Sequence, residues 1–453
     1  MLLSFRVENH KSIRDEQQLL LTPVYEDSRP ADADWKATTV AGVFGANASG
    51  KSNVLDALSF MRATALWSFR MNEPGKGVPR HPFELDPRSR EEPSTFVVDL
   101  VTEGVRHTYG FSVDDDHVAE EWLYSYPKQR KRVVFERDDE AFTFGDGTPA
   151  ELRQVVGITA RNVLLLSVAA QAEQEVVLPV HRWFSDELLF AEDRRPEQPR
   201  WLRHGSVSTE HVHALGDLLR SADTGIREVE LAELDDAPAY VVGGHHAVTD
   251  QQDPTHAGAR NMLVHLSPGS GKTHAFARSL SLAWEKRSPT LLFHHEGEGV
   301  ARPLTWGEES LGTRALAAVG FEAQRVLESG GVLVVDEIDA SLHPYLSARI
   351  IALFQDEERN PQGAQLIFTS HDAALLGRVR GEEVLKRDHI WFVAKDGEGS
   401  TSLYPLSDFK PRADDNRARR YLTGRYGAVP DVDDELFRDA LRRREQEPEE
   451  ATR

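Results

Sequence analysis

The chain has 453 residues, 40% hydrophobic and 28% charged, and its 74 acidic against 53 basic side chains give a formal charge of −21. This composition excludes wholesale disorder, collagen-like repeats and coiled-coil rods. The absence of cysteine excludes disulfides, thiolate zinc sites, iron–sulfur clusters and a cysteine nucleophile. Charge enters at Arg6, and no apolar stretch reaches the roughly 18 residues of a membrane span, so a cytoplasmic protein without a membrane partner is expected. The acidic total repels phosphate backbones, so any nucleic-acid contact has to use a local basic face.

In chain order, the apolar runs Leu2 to Val7 and Leu19 to Leu21 predict a strand pair, and Thr39 to Phe44 a buried strand ending at a glycine. Val54, Leu58, Met61 and Ala65 then recur at helical spacing. Between 94 and 145, short β-rich runs with turns at Glu103-Gly104 and Asp114 to Asp116 predict an antiparallel lobe. Residues 150 to 235 read as helical, and 241 to 300 as an irregular lid rich in Gly, His, Ser and Pro. From 305 onward, helices near 313 to 329 and 344 to 356 alternate with strands at Val332 to Val335, Leu366 to Thr369, Ile390 to Val393 and Ser402 to Leu406. Such alternation predicts an α/β fold with a parallel core sheet.

Gly45-Ala46-Asn47-Ala48-Ser49-Gly50-Lys51-Ser52 fits G-x-x-x-x-G-K-[ST] between a predicted strand and a predicted helix, the setting a P-loop NTPase requires. Glycines let successive N–H groups turn inward on phosphate oxygens, Lys51 is suited to the β- and γ-phosphates, and the Ser52 hydroxyl to Mg²⁺. The weaker match Pro268 to Thr273 lacks the first glycine, with Leu266 in its place, and reads as a surface loop. Val332-Leu333-Val334-Val335-Asp336-Glu337 delivers two carboxylates at a strand end, where Asp336 suits the metal and Glu337 an attacking water.

Lys51 and Asp336 are separated by 285 positions, so the nucleotide domain must be split by other segments. Split heads of this kind resemble the ATP-binding-cassette class, and Asn47 with Asn53 to Ala57 resembles its repair and chromosome-maintenance branch of SMC- and RecF-like heads. By that resemblance, Glu309-Ser310-Leu311-Gly312-Thr313 corresponds to a degenerate signature motif, with Ser310 and Gly312 meeting the γ-phosphate bound by the opposite subunit; a plain helix cap is the alternative. Ile338-Asp339-Ala340-Ser341-Leu342-His343-Pro344 resembles the D-loop, Thr369-Ser370-His371-Asp372 the switch histidine, and Gln171 is the candidate for the class glutamine. Pro82-Phe83, Glu120 to Tyr124, Ala222 to Ile226, Asp388 to Val393 and Tyr421 to Pro430 resemble the RloA/AbiL-type AAA-family ATPases of bacterial phage-defence operons.

That resemblance implies residues 1–149 as an N-terminal ATPase lobe, 150–304 as an insertion or lid, 305–430 as a C-terminal ATPase lobe and 431–453 as a charged tail. It further implies ATP and Mg²⁺ as ligands, a homodimer or higher homo-oligomer, and an effector partner, a nuclease or toxin from a neighbouring gene. Seven of the 18 histidines fall between 245 and 295, without the paired spacing of a metal site. Lys128 to Arg132 and Lys410 to Arg425 are basic runs that either grip nucleic acid or stand solvated. A DNA-repair mediator ATPase and a nucleotide-gated scaffold without turnover are the competing functions.

Overall fold

The computed structural model describes residues 1–25, 37–73, 75–191, 200–203, 207–235, 287–297, 302–412, 415–430 and 433–445. They form two units, Met1–Asp193 with Ala315–Arg453, and Arg194–Arg314.

The first unit holds two main sheets. In one, β1 (Leu2–Glu8), β2 (Gln17–Leu20), β4 (Ser94–Thr102), β5 (Val105–Val113), β6 (Val118–Ser125), β7 (Arg132–Asp138) and β8 (Ala141–Phe144) run in the order β2-β1-β4-β5-β6-β7-β8, antiparallel throughout. Here the expected antiparallel lobe and the expected N-terminal strand pair are one sheet. In the other, β3 (Val40–Gly45), β9 (Leu188–Phe190), β13 (Val332–Val335), β14 (Gln365–Ser370), β17 (Ile390–Lys395) and β18 (Thr401–Pro405) take the order β18-β17-β3-β14-β13-β9. All pairs are parallel except β17 with β18. Every residue of β3, β13 and β14 is buried, as expected for strands covered on both faces. A short hairpin, β15 (Arg378–Val379) with β16 (Glu382–Glu383), completes the strands of this unit.

The helix Lys51–Met71 follows β3 directly and buries Val54, Leu58, Met61 and Ala65, the stripe its periodicity predicts. Gly42 in β3 has no room for a side chain, since a Cβ there would lie 2.6 Å from Phe368 Cζ and 2.9 Å from Phe44 Cε2. Buried Gln365 ties the two sheets: its Oε1 accepts from the Leu2 N–H at 2.5 Å, and its Nε2 donates to Leu2 O and Thr38 O at 2.9 and 3.0 Å.

Two departures from the expected layout have a common cause. Residues 150–193 stand with the first unit, because β9 pairs with β13 through Leu188 opposite Val332. A three-residue apolar run cannot be told from a helical segment by spacing alone. The second unit likewise contains β10 (Ile226–Asp235), paired antiparallel with β11 (Arg287–His295), which carries β12 (Leu304–Thr305) on its other edge. Residues 226 to 235, the end of the stretch read as helical, are β10, and Glu228 and Glu230 alternate in it with Val229 and Leu231. Within this unit, the helix Thr209–Ser221 is capped by Ser208 and buries Val212, Leu215 and Leu219, and Trp201 and Trp306 meet edge to face at 6.5 Å beside Phe293. The glycine-containing stretch Pro268 to Thr273, and five of the seven clustered histidines, lie outside the described residues.

Candidate functional site

The loop joining β3 to the helix Lys51–Met71 is shaped by its backbone. Ala48 has φ 62° and Gly50 φ 106°, two left-handed turns that fold the chain back on itself. Gly50 is obligatory twice over, because a Cβ would also overlap Thr401 Oγ1. At Gly45 a Cβ would lie 2.5 Å from Val393 O and 2.7 Å from Ser49 Oγ. Ala46 is partly buried, whereas Asn47 and Ala48 are exposed at the loop tip.

A hydroxyl network braces this loop from two distant segments. Ser12, in the β1–β2 turn, lies 2.7 Å from Thr401 Oγ1 in β18 and accepts from Asn53 Nδ2 at 2.6 Å. Thr401 Oγ1 donates in turn to Ser49 O at 2.9 Å. One helical turn further on, His10 Nε2 and Lys11 Nζ bind the two oxygens of Asp56 at 2.8 and 2.7 Å. Sequence spacing gives no hint of Ser12 or Thr401, since Ser12 is 389 positions from Thr401.

Lys51 Nζ donates to Gly45 O at 2.8 Å and Ala46 O at 2.9 Å, so the ammonium lies inside the loop. Burial pushes its pKa below the ordinary lysine value, against the opposing pull of Glu337, Asp336 and Asp339. Ser52 Oγ donates to Asp336 Oδ1 at 3.1 Å, joining two residues 284 positions apart. Asp336 Oδ1 also accepts from Thr369 Oγ1 at 2.5 Å, and Thr369 Oγ1 accepts from the Glu337 N–H at 2.7 Å. Sequence reasoning missed Thr369 as a member of the site. Nothing local in the sequence marks it: the link arises from the parallel register, in which Val335 faces Phe368 and the next residues along are Asp336 and Thr369.

Glu337 has φ 51° and Ser341 φ 64°, strained backbone for residues with side chains, so the segment after β13 is held in a conformation its residues do not favour. Asp339 Oδ2 lies 3.3 Å from Nε2 of the half-exposed His371, while buried Asp339 Oδ1 has no hydrogen-bond partner among the described residues. The structure therefore brings Lys51, Ser52, Asp336, Glu337, Asp339 and His371 to the ends of β3, β13 and β14.

A family model described as "AAA domain, putative AbiEii toxin, Type IV TA system" matches residues 40–377. The chain belongs to this family. The match takes in the glycine loop and the acidic strand end, so the AAA domain here is a P-loop ATPase domain of mixed α/β build. The Smc head domain of Pyrococcus furiosus, solved with an extended coiled coil and bound to the C-terminal domain of ScpA, is similar at 12% identity and a TM-score of 0.37, covering 90% of this chain and 97% of that one. No curated protein matches the chain.

Substrate and metal fit the AAA-domain site on its own geometry. The left-handed turns at Ala48 and Gly50 give the loop the folded-back backbone that cradles phosphate, and Ser52 Oγ with Asp336 Oδ1 presents hard oxygens of the kind Mg²⁺ takes. Gln171 does not join this group. It ends the helix Leu165–Gln171, and its Oε1 accepts from Arg70 Nη2 at 2.8 Å. Arg70 is nineteen residues beyond Lys51 on one helix, about 28 Å away at 1.5 Å per residue. Ser310 Oγ accepts from the Thr313 N–H at 3.1 Å and lies 2.9 Å from Thr313 Oγ1, capping the helix Leu311–Ser329, with Gly312 in the first turn. His294 and His295 pair with Glu230 and Glu309 at 3.0 and 2.6 Å, and no His, Cys, Asp or Glu cluster suited to a metal occurs among the described residues. No helix among them is long and apolar enough to cross a membrane.

Proposed function

We propose that this AAA-domain protein hydrolyses ATP as a dimer closed around two nucleotides, and that closure governs a partner effector, a nuclease or toxin, in anti-phage defence. The observation that carries the ATPase reading is the convergence of Ser52, Thr369 and Glu337 on or beside Asp336, from segments scattered between positions 52 and 369. The toxin–antitoxin wording of the family description supports the effector half.

In this reading, Lys51 releases Gly45 O and Ala46 O and takes up the β- and γ-phosphates, while the N–H groups of residues 46 to 52 hold the remaining oxygens. Mg²⁺ on Ser52 and Asp336 supplies charge neutralisation to the phosphates. Glu337 orients a water against the γ-phosphorus and accepts its proton as the new P–O bond forms and the bond to the bridging oxygen breaks. His371, oriented by Asp339, hydrogen-bonds the γ-phosphate and registers its loss. Ser310 and Gly312 meet the γ-phosphate held by the partner copy, so hydrolysis releases the dimer. Glu337→Gln is expected to slow turnover by about 10²–10⁴ while preserving ATP binding, the usual effect of removing a positioned base. Steady-state phosphate release checks it, and a wild-type rate in the variant excludes the assignment.

A second reading, direct contact with DNA as in repair mediators, is favoured by a cavity of about 350 Å³ lined by Asn416, Arg419, Arg420, Thr423 and Arg425. Arg420 is engaged by Asp415 at 2.7 Å. Salt-dependent DNA affinity that falls on joint Arg419→Ala and Arg425→Ala substitution supports that reading.

A further inference from the structure

The helix Asp434–Glu445 stands in the stretch that the sequence marks only as a charged tail, and the reading above gives it no role. Asp433 caps it: Oδ1 accepts from the N–H groups of Glu435 and Leu436 at 3.0 Å each, and the carbonyl accepts from the Phe437 N–H at 2.9 Å. Capping and the helix dipole account for acids at its start and arginines at its end. Neither accounts for the apolar residues between them. Every side chain from Asp433 to Ala440 is exposed, Leu436 at 69% and Phe437 at 62%. A lone helix of 12 residues is marginal in water, and most helical stability comes from packing an apolar face, so this stripe calls for a surface to cover it.

The order of charges says which surface. Asp433, Phe437, Ala440 and Arg444 are spaced four, three and four apart, the seam of a two-helix pair, with Leu436 and Leu441 at the flanking positions. Laid antiparallel against itself about a twofold axis between Arg438 and Asp439, the segment sets Phe437 opposite Ala440 of the second copy and Asp433 opposite Arg444 of the second copy. Large then meets small, and acid meets base, at each layer of the seam. A parallel pair sets Asp433 against Asp433 and Arg444 against Arg444, so like charges select against it. Residues 433–445 carry five acidic and four basic side chains, which offers no attraction to an anionic bilayer.

We propose that the helix Asp434–Glu445 pairs antiparallel with the same helix of a second copy, joining two chains in the absence of nucleotide. The contact is separate from closure around ATP and does not depend on it.

Sedimentation equilibrium of the full chain without nucleotide, in the wild type and in Lys51→Ala, tests the contact apart from the ATPase reading. Both are expected to dimerise with rising concentration, and Phe437→Asp to raise the dimer Kd about 10-fold or more in each. The melting temperature of dilute Phe437→Asp should match that of the wild type, because the ring removed is exposed. A wild type that stays monomeric through the micromolar range overturns the proposal, as does an unchanged Kd in Phe437→Asp. A monomeric wild type that sediments with anionic vesicles assigns the stripe to a membrane and likewise overturns it. Orientation is tested by a double-mutant cycle. Arg444→Glu should weaken the dimer by facing Asp433 of the second copy with a like charge. Asp433→Asn, which keeps the cap, should weaken the wild-type dimer yet strengthen that of Arg444→Glu. Equal effects of Asp433→Asn in the two backgrounds overturn the antiparallel seam. If the chain neither binds nor hydrolyses ATP, the ATPase reading fails and these comparisons still decide whether the helices pair.

Discussion

Thr369 donates its hydroxyl proton to Asp336 and accepts from the backbone of Glu337, so one side chain fixes both carboxylate residues at the end of β13. Thr369→Val keeps the shape, buries no new volume and removes both bonds. It should cost about 1–2 kcal/mol of stability in urea denaturation, the usual effect of leaving a buried donor unpaired, and should lower ATP turnover by loosening Asp336 and Glu337 together. At this scale the sequence was legible where chemistry is contiguous. Gly45 to Ser52 and Val332 to Glu337 announce themselves by local pattern, because a strand end and a glycine turn both leave local marks. Thr369, Ser12 and Thr401 did not, since their roles exist only once distant strands lie side by side. Gln171 was misplaced for the same reason: nothing local says that its helix packs at the far end of Lys51–Met71.

Between elements, the fully buried Glu121 of β6 joins the antiparallel sheet to the helix Leu165–Gln171. Its carboxylate accepts from the N–H groups of Leu165 and Leu166 at 2.6 and 3.0 Å and from the Tyr109 hydroxyl at 3.0 Å. It thereby serves as an N-terminal cap that the helix's own Leu164 cannot provide. Burial pushes the Glu121 pKa up, against these hydrogen bonds and the nearby charge of Arg137. Glu121→Ala should destabilise the chain by about 3–5 kcal/mol, since it strands three buried donors and removes one of the two carboxylates that favour the Arg137 charge; equilibrium denaturation measures it. Several strands of four to nine residues flanked by clear turns were readable, β6 and β8 excepted, and so was the stripe of Lys51–Met71. The short edge strand β9 and the hairpin of β10 with β11 were not: three apolar residues carry no period, β10 fell in the stretch read as helical and β11 in the stretch read as irregular.

Across the whole molecule, acid sensitivity follows from buried histidines. Burial lowers the pKa of His10 and His181, and holds His107 at about 4 and His389 at about 3. Each holds its proton less tightly folded than unfolded, where it titrates near 6.5, so the unfolded chain binds more protons below that value and stability falls with pH. Burial raises the pKa of Glu8 and Glu121, which oppose the trend, but they are two against four. Asp56 adds to the loss at lower pH: despite burial, bonds from His10 and Lys11 hold it at about 2, so its contribution disappears as pH drops from about 4 towards 2. Melting temperatures should therefore decline steadily from pH 6.5 to 4, each histidine contributing at most about 1.4 kcal/mol per pH unit, and a flat profile contradicts the burial of these rings. The order of the parallel sheet, in which β3 lies between β17 and β14, has one more consequence, for synthesis on the ribosome. The antiparallel lobe can collapse once residue 144 has emerged, but β3 must wait with both edges unpaired until β14 and then β17 are made, roughly 220 to 250 codons later. A nascent or truncated chain ending before residue 365 thus presents an open apolar strand to its surroundings, making chaperone protection during translation a requirement of the fold's topology.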